Sequence, residues 1–454
     1  MKRAPGFKPV LPAWRGLQER ARTSGEEPLR VAVEREDGLV SVFEAAVPAR
    51  DADPDSTFRL IERAVKFLLW SRGGWRIHVL GPAALGRRLK ADYSETGARA
   101  FDARTMARAY ERPFEVALHS AATFPEAREA VRPAGGHLDG CRIGFDLGAS
   151  DYKLAAVVDG EPVWTEEVPW SPGEQADPDY HYRHISDGLK KAAARLPRVE
   201  AIGGSTAGIV IRNQVRVASL FRSVPEAEFE AKVKGLFGRL AAEWGVPFEV
   251  ANDGEVTALA GMLSIGEPGV LGVAMGSSEA AGYLGPDGRL PGWLDELAFA
   301  PVDLDPEAPA DEWSGDRGVG ASYFSQQAVN RLALAEGFTF PPDMRLPERL
   351  KEVQSHMERG NLRAARVFEA IGAFLGHAAA WYEVFYRYRH LLVLGRVMSG
   401  PGGAAIVAKA GEVLRAEYPA TAERVRIHLV DEASRRVGQA VAAASLPEIP
   451  GERS

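Results

Sequence analysis

In this chain of 454 residues, the order of the hydrophobic segments is the feature that most limits the possible folds. From Cys141 onward the pattern predicts three short strands, a helix, a strand, a second helix and a strand that ends at Asn252. A comparable order follows Gly269 and ends in a helix predicted from about Asp431. Two successive sets of this kind favour two similar α/β lobes over one continuously wound sheet.

Changes in pattern divide the chain into four predicted segments. Residues 1–28 are rich in proline, glycine and charge and are expected to form an N-terminal arm. Residues 29–137 predict an α+β domain, for which a degenerate duplicate of a lobe is one hypothesis. The first lobe is predicted over 138–265 and the second over 266–454, with the last helix packing back on the first lobe.

Composition excludes several classes of protein. A formal net charge of -7 gives no electrostatic argument for binding nucleic acid. Cys141 is the single cysteine, so an intrachain disulfide and a four-cysteine metal site are both excluded. No segment has the uninterrupted apolar length of a membrane span, and the N-terminus has no apolar core of a signal peptide. We therefore expect a cytoplasmic protein that binds neither nucleic acid nor membrane.

The segment IGFDLGASDYKLAAVVDGE predicts a hairpin with a carboxylate at the end of its first strand. Asp146 ends that strand, and the small residues up to Ser150 allow backbone N–H groups to approach a phosphate. A carboxylate in this place can hold Mg²⁺ through water. The alternative is an ordinary turn, in which the same residues bind nothing.

The segment FEVANDGEVTALAG predicts a strand that delivers two polar residues to its carboxyl end. Asn252 and Asp253 stand there, and Gly254 opens a helix. Ligands of α/β sheets bind at such ends, and a carboxylate there can take the proton of a hydroxyl that attacks a phosphate. The alternative is a helix cap without a catalytic role.

Taken in order, these segments resemble the ROK family of repressors, open reading frames and kinases, within the actin-like ATPase and sugar-kinase superfamily. The resemblance covers roughly Cys141 to Pro450, and includes IGGSTAGIV, LGVAMGSSEAAGY and LLVLGRVMSG. It implies an α/β protein with two actin-like ATPase (ribonuclease H-like) lobes and a cleft between them, beside the additional N-terminal α+β domain. It also implies ATP and Mg²⁺ as cofactors and a homodimer.

The resemblance implies roles for individual residues. Asp253 stands at the position of the catalytic base, and Asp146 at that of the carboxylate that binds Mg²⁺ through water. The positions that bind nucleotide and phosphate are Asp146, Gly148, Ser150, Lys153, Gly276, Ser277, Gly395 and Arg396. The positions that bind the substrate are Asn252, Glu296, Ser219 and Arg222.

The chain departs from the family at the sugar and zinc positions. Phe299 stands in place of a histidine, and Ala321 in place of a glutamate that binds sugar. Three cysteines of the family's zinc knuckle are replaced by Glu312, Ser314 and Val319. We therefore expect no zinc, and expect the usual contacts to hexose hydroxyls to be largely lost.

The second phosphate loop also departs from the family's glycine-rich sequence. Residues 276–282 read GSSEAAG, so side chains replace glycines that allow close approach. The carboxylate of Glu279 is expected to repel a triphosphate beside it. Arg396 replaces a glycine of the adenosine loop, where it could stack on a base, pair with a phosphate or fill the pocket.

Three functional hypotheses follow. The first is ATP- and Mg²⁺-dependent phosphoryl transfer to a hydroxyl of a sugar or sugar-like ligand, with Asp253 as base. The second is a non-catalytic protein on the kinase fold that senses a metabolite or organises partners, as the altered loops suggest. The third is an enzyme whose carbohydrate-like substrate is already anionic, since Arg216 and Arg222 lie in the segment matching the family's substrate loop.

Overall fold

The computed structural model describes residues 6–133, 135–430 and 432–450. Within them the chain separates into two compact units. Unit 1 consists of the described residues of Met1–Val131, Val273–Ala281 and Pro291–Leu429. Unit 2 consists of the described residues of Arg132–Gly272, Gly282–Leu290 and Val430–Ser454. Residues 6–131, called here the N-terminal block, thus share one unit with most of the predicted second lobe.

The N-terminal part of unit 1 is a four-stranded sheet with helices. Its elements are α1 (Val10–Ser24), β1 (Glu26–Glu34), β2 (Val40–Pro48), α2 (Pro54–Arg72), β3 (Arg76–Leu80), α3 (Ala83–Asp92), α4 (Ala100–Tyr110) and β4 (Glu115–Leu118). The strand order is β2-β1-β3-β4. Strand β1 runs antiparallel to β2 and β3, and β3 runs parallel to β4.

The described residues of the segment predicted as an N-terminal arm instead form a helix that contributes to the core of unit 1. Helix α1 buries Val10, Leu11, Trp14, Leu17 and Ala21, which lie on one face at helical spacing. Proline in the first turn of this helix is compatible with it, because the first N–H groups of a helix have no partner within it. The proline content that suggested an arm therefore marks a helix start.

Unit 2 is built on a five-stranded sheet. The elements of its first part are β5 (Arg132–Pro133), β6 (Cys141–Leu147), β7 (Asp151–Val158), β8 (Glu161–Pro169), α5 (Pro178–Ala193), β9 (Ala201–Thr206), β10 (Ile209–Ile211), β11 (Gln214–Val217), α6 (Glu226–Glu228), α7 (Leu236–Trp244), β12 (Phe248–Asn252) and α8 (Asp253–Ile265). The strand order is β12-β9-β6-β7-β8. Strands β12, β9 and β6 are parallel, and β6, β7 and β8 are antiparallel to their neighbours. This topology differs from that of the N-terminal sheet, where β1 and β3 are antiparallel.

The remaining residues form a second set of strands and helices. They are β13 (Val270–Met275), β14 (Glu279–Leu284), β15 (Arg289–Leu290), α9 (Gln326–Ala335), α10 (Leu346–Glu358), α11 (Leu362–Tyr382), β16 (His390–Leu394), α12 (Gly400–Glu417), α13 (Pro419–Arg424), β17 (Arg426–Leu429) and α14 (Glu432–Ala444). Four of the strands form a sheet of order β14-β13-β16-β17. Across the residues that the structure describes, none of the helices is long and apolar enough to span a membrane.

Two glycines let α14 lie directly on the sheet of unit 2. A Cβ at Gly144 of β6 would overlap the carbonyl oxygen of Ala440, and one at Gly203 of β9 would overlap that of Ala443. The helix therefore approaches the strands more closely than any side chain on them would permit. Because side chains alternate along a strand, Asp146 lies on the same face of β6 as Gly144.

Aromatic side chains join the N-terminal block to the end of α11 and to the residues that follow it within unit 1. Phe67 of α2 stacks on Phe385 with ring centroids 4.2 Å apart, and Trp14 of α1 meets Trp381 edge-on at 5.9 Å. Such pairs add to the free energy gained by burying their area. The N-terminal block is therefore packed into the core of this unit.

Candidate functional site

The carboxyl ends of the parallel strands in unit 2 bring the predicted polar residues to one edge. Asp146 of β6 lies opposite Ser205 of β9, and Thr206, the last residue of β9, lies opposite Asn252 of β12. Asp253 follows directly as the first residue of α8. The register therefore places Asp253, the predicted base, and Asp146, the predicted Mg²⁺ carboxylate, at the edge where α/β sheets bind ligands.

Asn252 ties this edge together through both ends of its amide. Its Oδ1 accepts a hydrogen bond of 2.7 Å from the backbone N–H of Gly254, and its Nδ2 donates to the carbonyl of Gly208 at 2.8 Å. Gly208 has φ of +101°, a conformation that favours glycine. The cap of α8 and the turn after β9 are thus fixed by one side chain.

Asp253 has an altered acidity at this edge. Burial first, and the negative charge of Asp146 second, raise the pKa of Asp253 from 3.8 to about 7. Gln439 of α14 donates to the backbone carbonyl of Asp253 at 3.2 Å and to the hydroxyl of Thr257 at 3.1 Å. The residue is therefore held in place by its backbone, while its carboxyl group is suited to exchanging a proton near neutral pH.

Asp146 is paired with a lysine on the neighbouring strand. Lys153 Nζ lies 3.2 Å from Asp146 Oδ2 and 3.4 Å from Asp151 Oδ1. The turn between them is closed by a 3.0 Å hydrogen bond from Gly148 N–H to the Asp151 carbonyl. Ser150 Oγ lies 2.8 Å from Asp151 Oδ2. The hairpin thus collects one cation, two carboxylates and a hydroxyl at the end of β6.

The predicted substrate residues Ser219 and Arg222 lie in a short 3₁₀ turn and are exposed. Arg222 Nε donates to the carbonyl of Gly173 at 3.2 Å, and Ser223 Oγ donates to the same carbonyl at 2.6 Å. These bonds anchor the turn to residues 172–174. The structure places both residues on the surface of unit 2, with Arg222 hydrogen-bonded to the backbone.

Residues 276–282 were predicted to form the second phosphate loop, with the carboxylate of Glu279 beside the phosphates. In the structure, the side chain of Glu279 is buried instead. Ser277 and Ser278 are exposed, whereas Glu279 is 4% exposed and lies against Gly320 and Tyr382. Its Oε1 is 3.4 Å from the hydroxyl of Tyr382. Burial raises the pKa of Glu279 to about 8. This carboxyl group is therefore turned inward and, with a pKa of about 8, mostly protonated at pH 7, which weakens the expected repulsion of a triphosphate.

The predicted adenosine loop follows β16. Gly395 has φ of +103°, and a Cβ there would overlap the backbone carbonyl of Met275 on β13. Arg396 is exposed, and its own carbonyl accepts a 2.8 Å hydrogen bond from Gln354 Nε2. Arg396 thus lies at the surface of unit 1, and the three roles weighed for it stay predictions.

The residues at the altered sugar positions are buried in unit 1. Phe299 packs against Trp70 with ring centroids 4.4 Å apart and also contacts Phe101 and Trp313. Ala321 is 2% exposed. Glu296 is partly buried, and its backbone N–H donates to the carbonyl of Trp70 at 3.0 Å. The aromatic ring that replaces the histidine thus serves in packing against the N-terminal block.

Two residues at the edge of unit 2 were missed by the sequence prediction. Thr206 ends β9 beside Asn252, and a pairing of the predicted parallel strands would have placed it there. Gln439 gave no local signal, because α14 is far from Asp253 in sequence. In the described residues no group of three or more histidine, cysteine, aspartate or glutamate side chains is arranged to hold a metal ion.

Comparison by sequence finds no relatives. No protein-family model matches the chain. No curated protein matches it either.

Comparison of structures finds solved proteins with a similar fold. A ROK family transcriptional regulator, described as a homolog of the E. coli Mlc protein, aligns with 68% of this chain and 79% of its own at 18% identity, with a TM-score of 0.54. The ROK hexokinase of Thermus thermophilus aligns with 67% of this chain and 97% of its own at 20% identity, with a TM-score of 0.51. A ROK family glucokinase from Streptomyces griseus, solved with glucose and AMPPNP, aligns with 68% of this chain and 99% of its own at 18% identity, with a TM-score of 0.52. These matches confirm the predicted α/β fold class, and this chain has the fold that ROK sugar kinases and a ROK regulator share.

Proposed function

We propose that the protein transfers a phosphoryl group from ATP, with Mg²⁺, to a hydroxyl of a sugar or sugar-like substrate. The observation that carries the proposal is Asp253, a carboxyl group at the carboxyl end of the parallel strands whose pKa is raised to about 7. A base of this acidity is half deprotonated near pH 7 and takes a proton efficiently from an attacking hydroxyl. The fold shared with ROK kinases supports the same reaction class.

Asp146 is the proposed carboxylate for Mg²⁺. One of its oxygens is paired with Lys153, and its negative charge contributes to the raised pKa of Asp253. Two carboxyl groups that interact unfavourably are a donor set suited to a hard divalent cation. When bound, Mg²⁺ supplies positive charge that offsets the negative charge of the phosphates.

Each unit carries residues that are proposed for nucleotide binding. In unit 2 these are Gly148, Ser150 and Lys153, and in unit 1 they are Gly276, Ser277, Gly395 and Arg396. The exposed serine hydroxyls of residues 277 and 278 and the neutral, inward Glu279 favour phosphate binding at the second loop. Ser277 thus takes over, in this proposal, part of what backbone N–H groups do in a glycine-rich loop.

The residues proposed for substrate binding are Asn252, Ser219 and Arg222 in unit 2 and Glu296 in unit 1. The substrate class includes sugar acids, because Arg222 is an exposed guanidinium in the same turn as Ser219. Phe299 and Ala321 offer no hydrogen bond to a hexose hydroxyl, so ordinary hexoses are expected to bind less tightly than sugars that carry a charge.

A second candidate function is a metabolite sensor that does not catalyse transfer. It is favoured by the burial of Phe299 and Ala321 at the sugar positions, and one of the similar structures is a transcriptional regulator. In that case Asp253 would help to bind the ligand without accepting a proton.

Thermal unfolding with and without MgATP separates the two functions. A kinase is expected to gain about 2.7 kcal/mol of stability at a nucleotide concentration one hundred times Kd. Asp253→Asn should keep this gain and lose at least a hundredfold in transfer rate. The control is Asp187→Asn on α5, an exposed carboxylate whose loss should change neither. Absence of any gain at millimolar MgATP would contradict the proposed kinase.

A further inference from the structure

The segment from Leu294 to Gly318 in unit 1 has little regular structure of its own. It contains the short 3₁₀ turn Leu297–Phe299, and otherwise consists of loops and isolated bridges. Glu296, a proposed substrate residue, lies near its start. Segments with few local hydrogen bonds open readily unless neighbouring elements hold them.

The last turn of α2 holds the start of this segment. The backbone N–H groups of Leu294, Asp295 and Glu296 donate to the carbonyls of Arg72, Ser71 and Trp70, at 3.3, 3.0 and 3.0 Å. Carbonyls in the last turn of a helix have no partner within the helix, so these bonds satisfy groups that would otherwise be orphaned. The backbone on both sides of Asp295 is thereby fixed by the N-terminal block.

The N-terminus holds the middle of the segment. The backbone N–H of Lys8 donates to Asp303 Oδ1 at 2.8 Å, and the N–H of Leu304 donates to the carbonyl of Lys8 at 2.8 Å. Lys8 Nζ also lies 3.5 Å from Asp305 Oδ1. Residues separated by almost 300 positions in sequence thus form a short antiparallel bridge.

A buried cluster of charges holds the end of the segment. Asp316 contacts three cations of the N-terminal block: Arg63 at 2.9 Å, Lys66 at 2.9 Å and Arg99 at 2.8 Å. The side chains of Arg63, Lys66, Arg99 and Asp316 are 7%, 1%, 15% and 12% exposed. The carboxylates that complete the cluster, Glu62 and Asp102, belong to the N-terminal block.

Charge balance makes Asp316 necessary to this cluster. The named members contributed by the N-terminal block are three cations and two carboxylates, so Asp316 supplies the third negative charge. A buried charge without a partner is strongly unfavourable, and the cations can be fully paired only when the segment is in place. Burial acts to raise the pKa of Asp316, but the charges of Arg63 and Lys66 outweigh it and hold the pKa below its usual range.

We propose that the N-terminal block is a positioning element for the segment 294–318, with Arg63, Lys66, Arg99 and Asp316 as its positioning residues. The block fixes the segment by three separate sets of contacts and so sets the place of Glu296. Asp316 lies in the part of the chain that matches the zinc knuckle of the ROK family. In this chain, ion pairs to the N-terminal block hold that part of the segment in place. The link to substrate binding rests on the proposed function, whereas the holding of the segment does not.

Hydrogen exchange of the 454-residue protein tests directly whether these contacts hold the segment 294–318 in place. The informative amides are those of Leu304, Asp311, Gly315 and Gly318, each hydrogen-bonded to the backbone. In Asp316→Asn they should exchange at least tenfold faster than in the wild type, while peptides covering β12 and α8 in unit 2 keep their rates. Asp316→Glu, which retains the charge, should recover part of the protection. The control is Asp343→Asn, an exposed carboxylate in the same unit, which should change nothing.

The enzymatic readout separates positioning from general stability. With the proposed kinase activity, Asp316→Asn should raise KM for the sugar-like substrate at least tenfold and leave kcat within about twofold. Arg99→Gln, at the more exposed edge of the cluster, should show the same pattern more weakly and serves if Asp316→Asn does not fold. The proposal is overturned if exchange at 303–318 matches that of the Asp343→Asn control, or if unit 1 as a whole exchanges faster. If no kinase activity is found, the exchange result decides it alone.

Discussion

The negative charge of Asp146 acts on Asp253 across the ends of two strands in the same sheet, and together with burial it raises the pKa of Asp253 to about 7. The two residues are 107 positions apart in sequence. Asp146 is on β6, Asp253 directly follows β12, and β9 lies between these two strands. Their coupling makes the ionisation of Asp253 sensitive to pH in the neutral range.

The rate of phosphoryl transfer should therefore depend on the ionisation of Asp253. The base acts in its deprotonated form, so kcat/KM should rise about tenfold per pH unit below pH 7 and level above it. The measurement is kcat/KM between pH 5.5 and 8.5, with Asp187→Asn as a control that keeps the same profile. A flat profile between pH 6 and 8 would remove Asp253 from the role of base.

Asp253→Asn should stabilise the fold in a defined range of pH. Because the folded pKa lies above 3.8, the folded state binds more protons than the unfolded state, and wild-type stability falls as pH rises from about 4 to 7. The variant lacks this loss, so its advantage should grow over that range and stay constant above it, reaching at most about 4 kcal/mol. Urea unfolding at pH 4.5 and pH 8 measures the difference. Equal differences at both values would contradict the raised pKa.

Glu279→Gln should behave in the same way over a higher range. Its folded pKa of about 8 lies above 4.5, so wild-type stability falls as pH rises from about 4.5 to 8, and the neutral amide avoids this loss. Thermal unfolding should show an advantage of the variant at pH 9 that shrinks toward pH 5. The exposed Glu307→Gln is the matched control, and should follow the wild type at every pH. A variant that is less stable than the wild type at pH 9 would show that the carboxylate is stabilised there.

Gly203→Ala should damage unit 2, because the added methyl group would overlap the carbonyl of Ala443 on α14. The expected loss is about 3 kcal/mol in urea unfolding. Gly238→Ala in α7 is the control, since nothing lies within 4 Å of its added Cβ. There the higher helix propensity of alanine should stabilise by about 1 kcal/mol. Similar effects from both substitutions would mean that α14 does not press on β9.

Substitutions of Asn252 test how its two hydrogen bonds, to Gly254 and to Gly208, affect Asp253. Asn252→Asp keeps the oxygen that caps α8 but loses the donor to Gly208, and it adds a carboxylate beside Asp253. A further negative charge should raise the pKa of Asp253 and move the pH–rate profile to higher pH. Asn252→Ala removes cap and donor without adding charge, so it should cost about 1 kcal/mol of stability and leave the profile in place. A profile that moves equally in both variants would argue against the electrostatic explanation.

The strands around the site could be predicted because their patterns are local. The apolar runs that end in Asp146 and Asn252 are β6 and β12, and the polar residues follow each run directly. The inward direction of Glu279 is also indicated locally, by the alternation of side chains along β14. Residues 279, 281 and 283 share one face of β14, and Ala281 and Tyr283 are both buried.

Long-range packing was not predictable in this way. Helix α1 carries an apolar face at helical spacing, but nothing in residues 1–28 indicates that the face packs on α11. The raised pKa of Asp253 depends on burial and on Asp146, neither of which local sequence specifies. Roles in ligand binding stay predictions for Ser219, Arg222, Glu296 and Arg396.

The pairing of Trp14 with Trp381 has a consequence for how the chain acquires its structure during synthesis. At about 5–20 residues per second, the ribosome adds the second tryptophan roughly 20–70 s after the first. For that time the apolar face of α1 lacks the surface that covers it in unit 1. The sheet of unit 2 likewise waits for α14, which begins 180 residues after the end of β12. Each unit is therefore completed only after distant parts of the chain have been made.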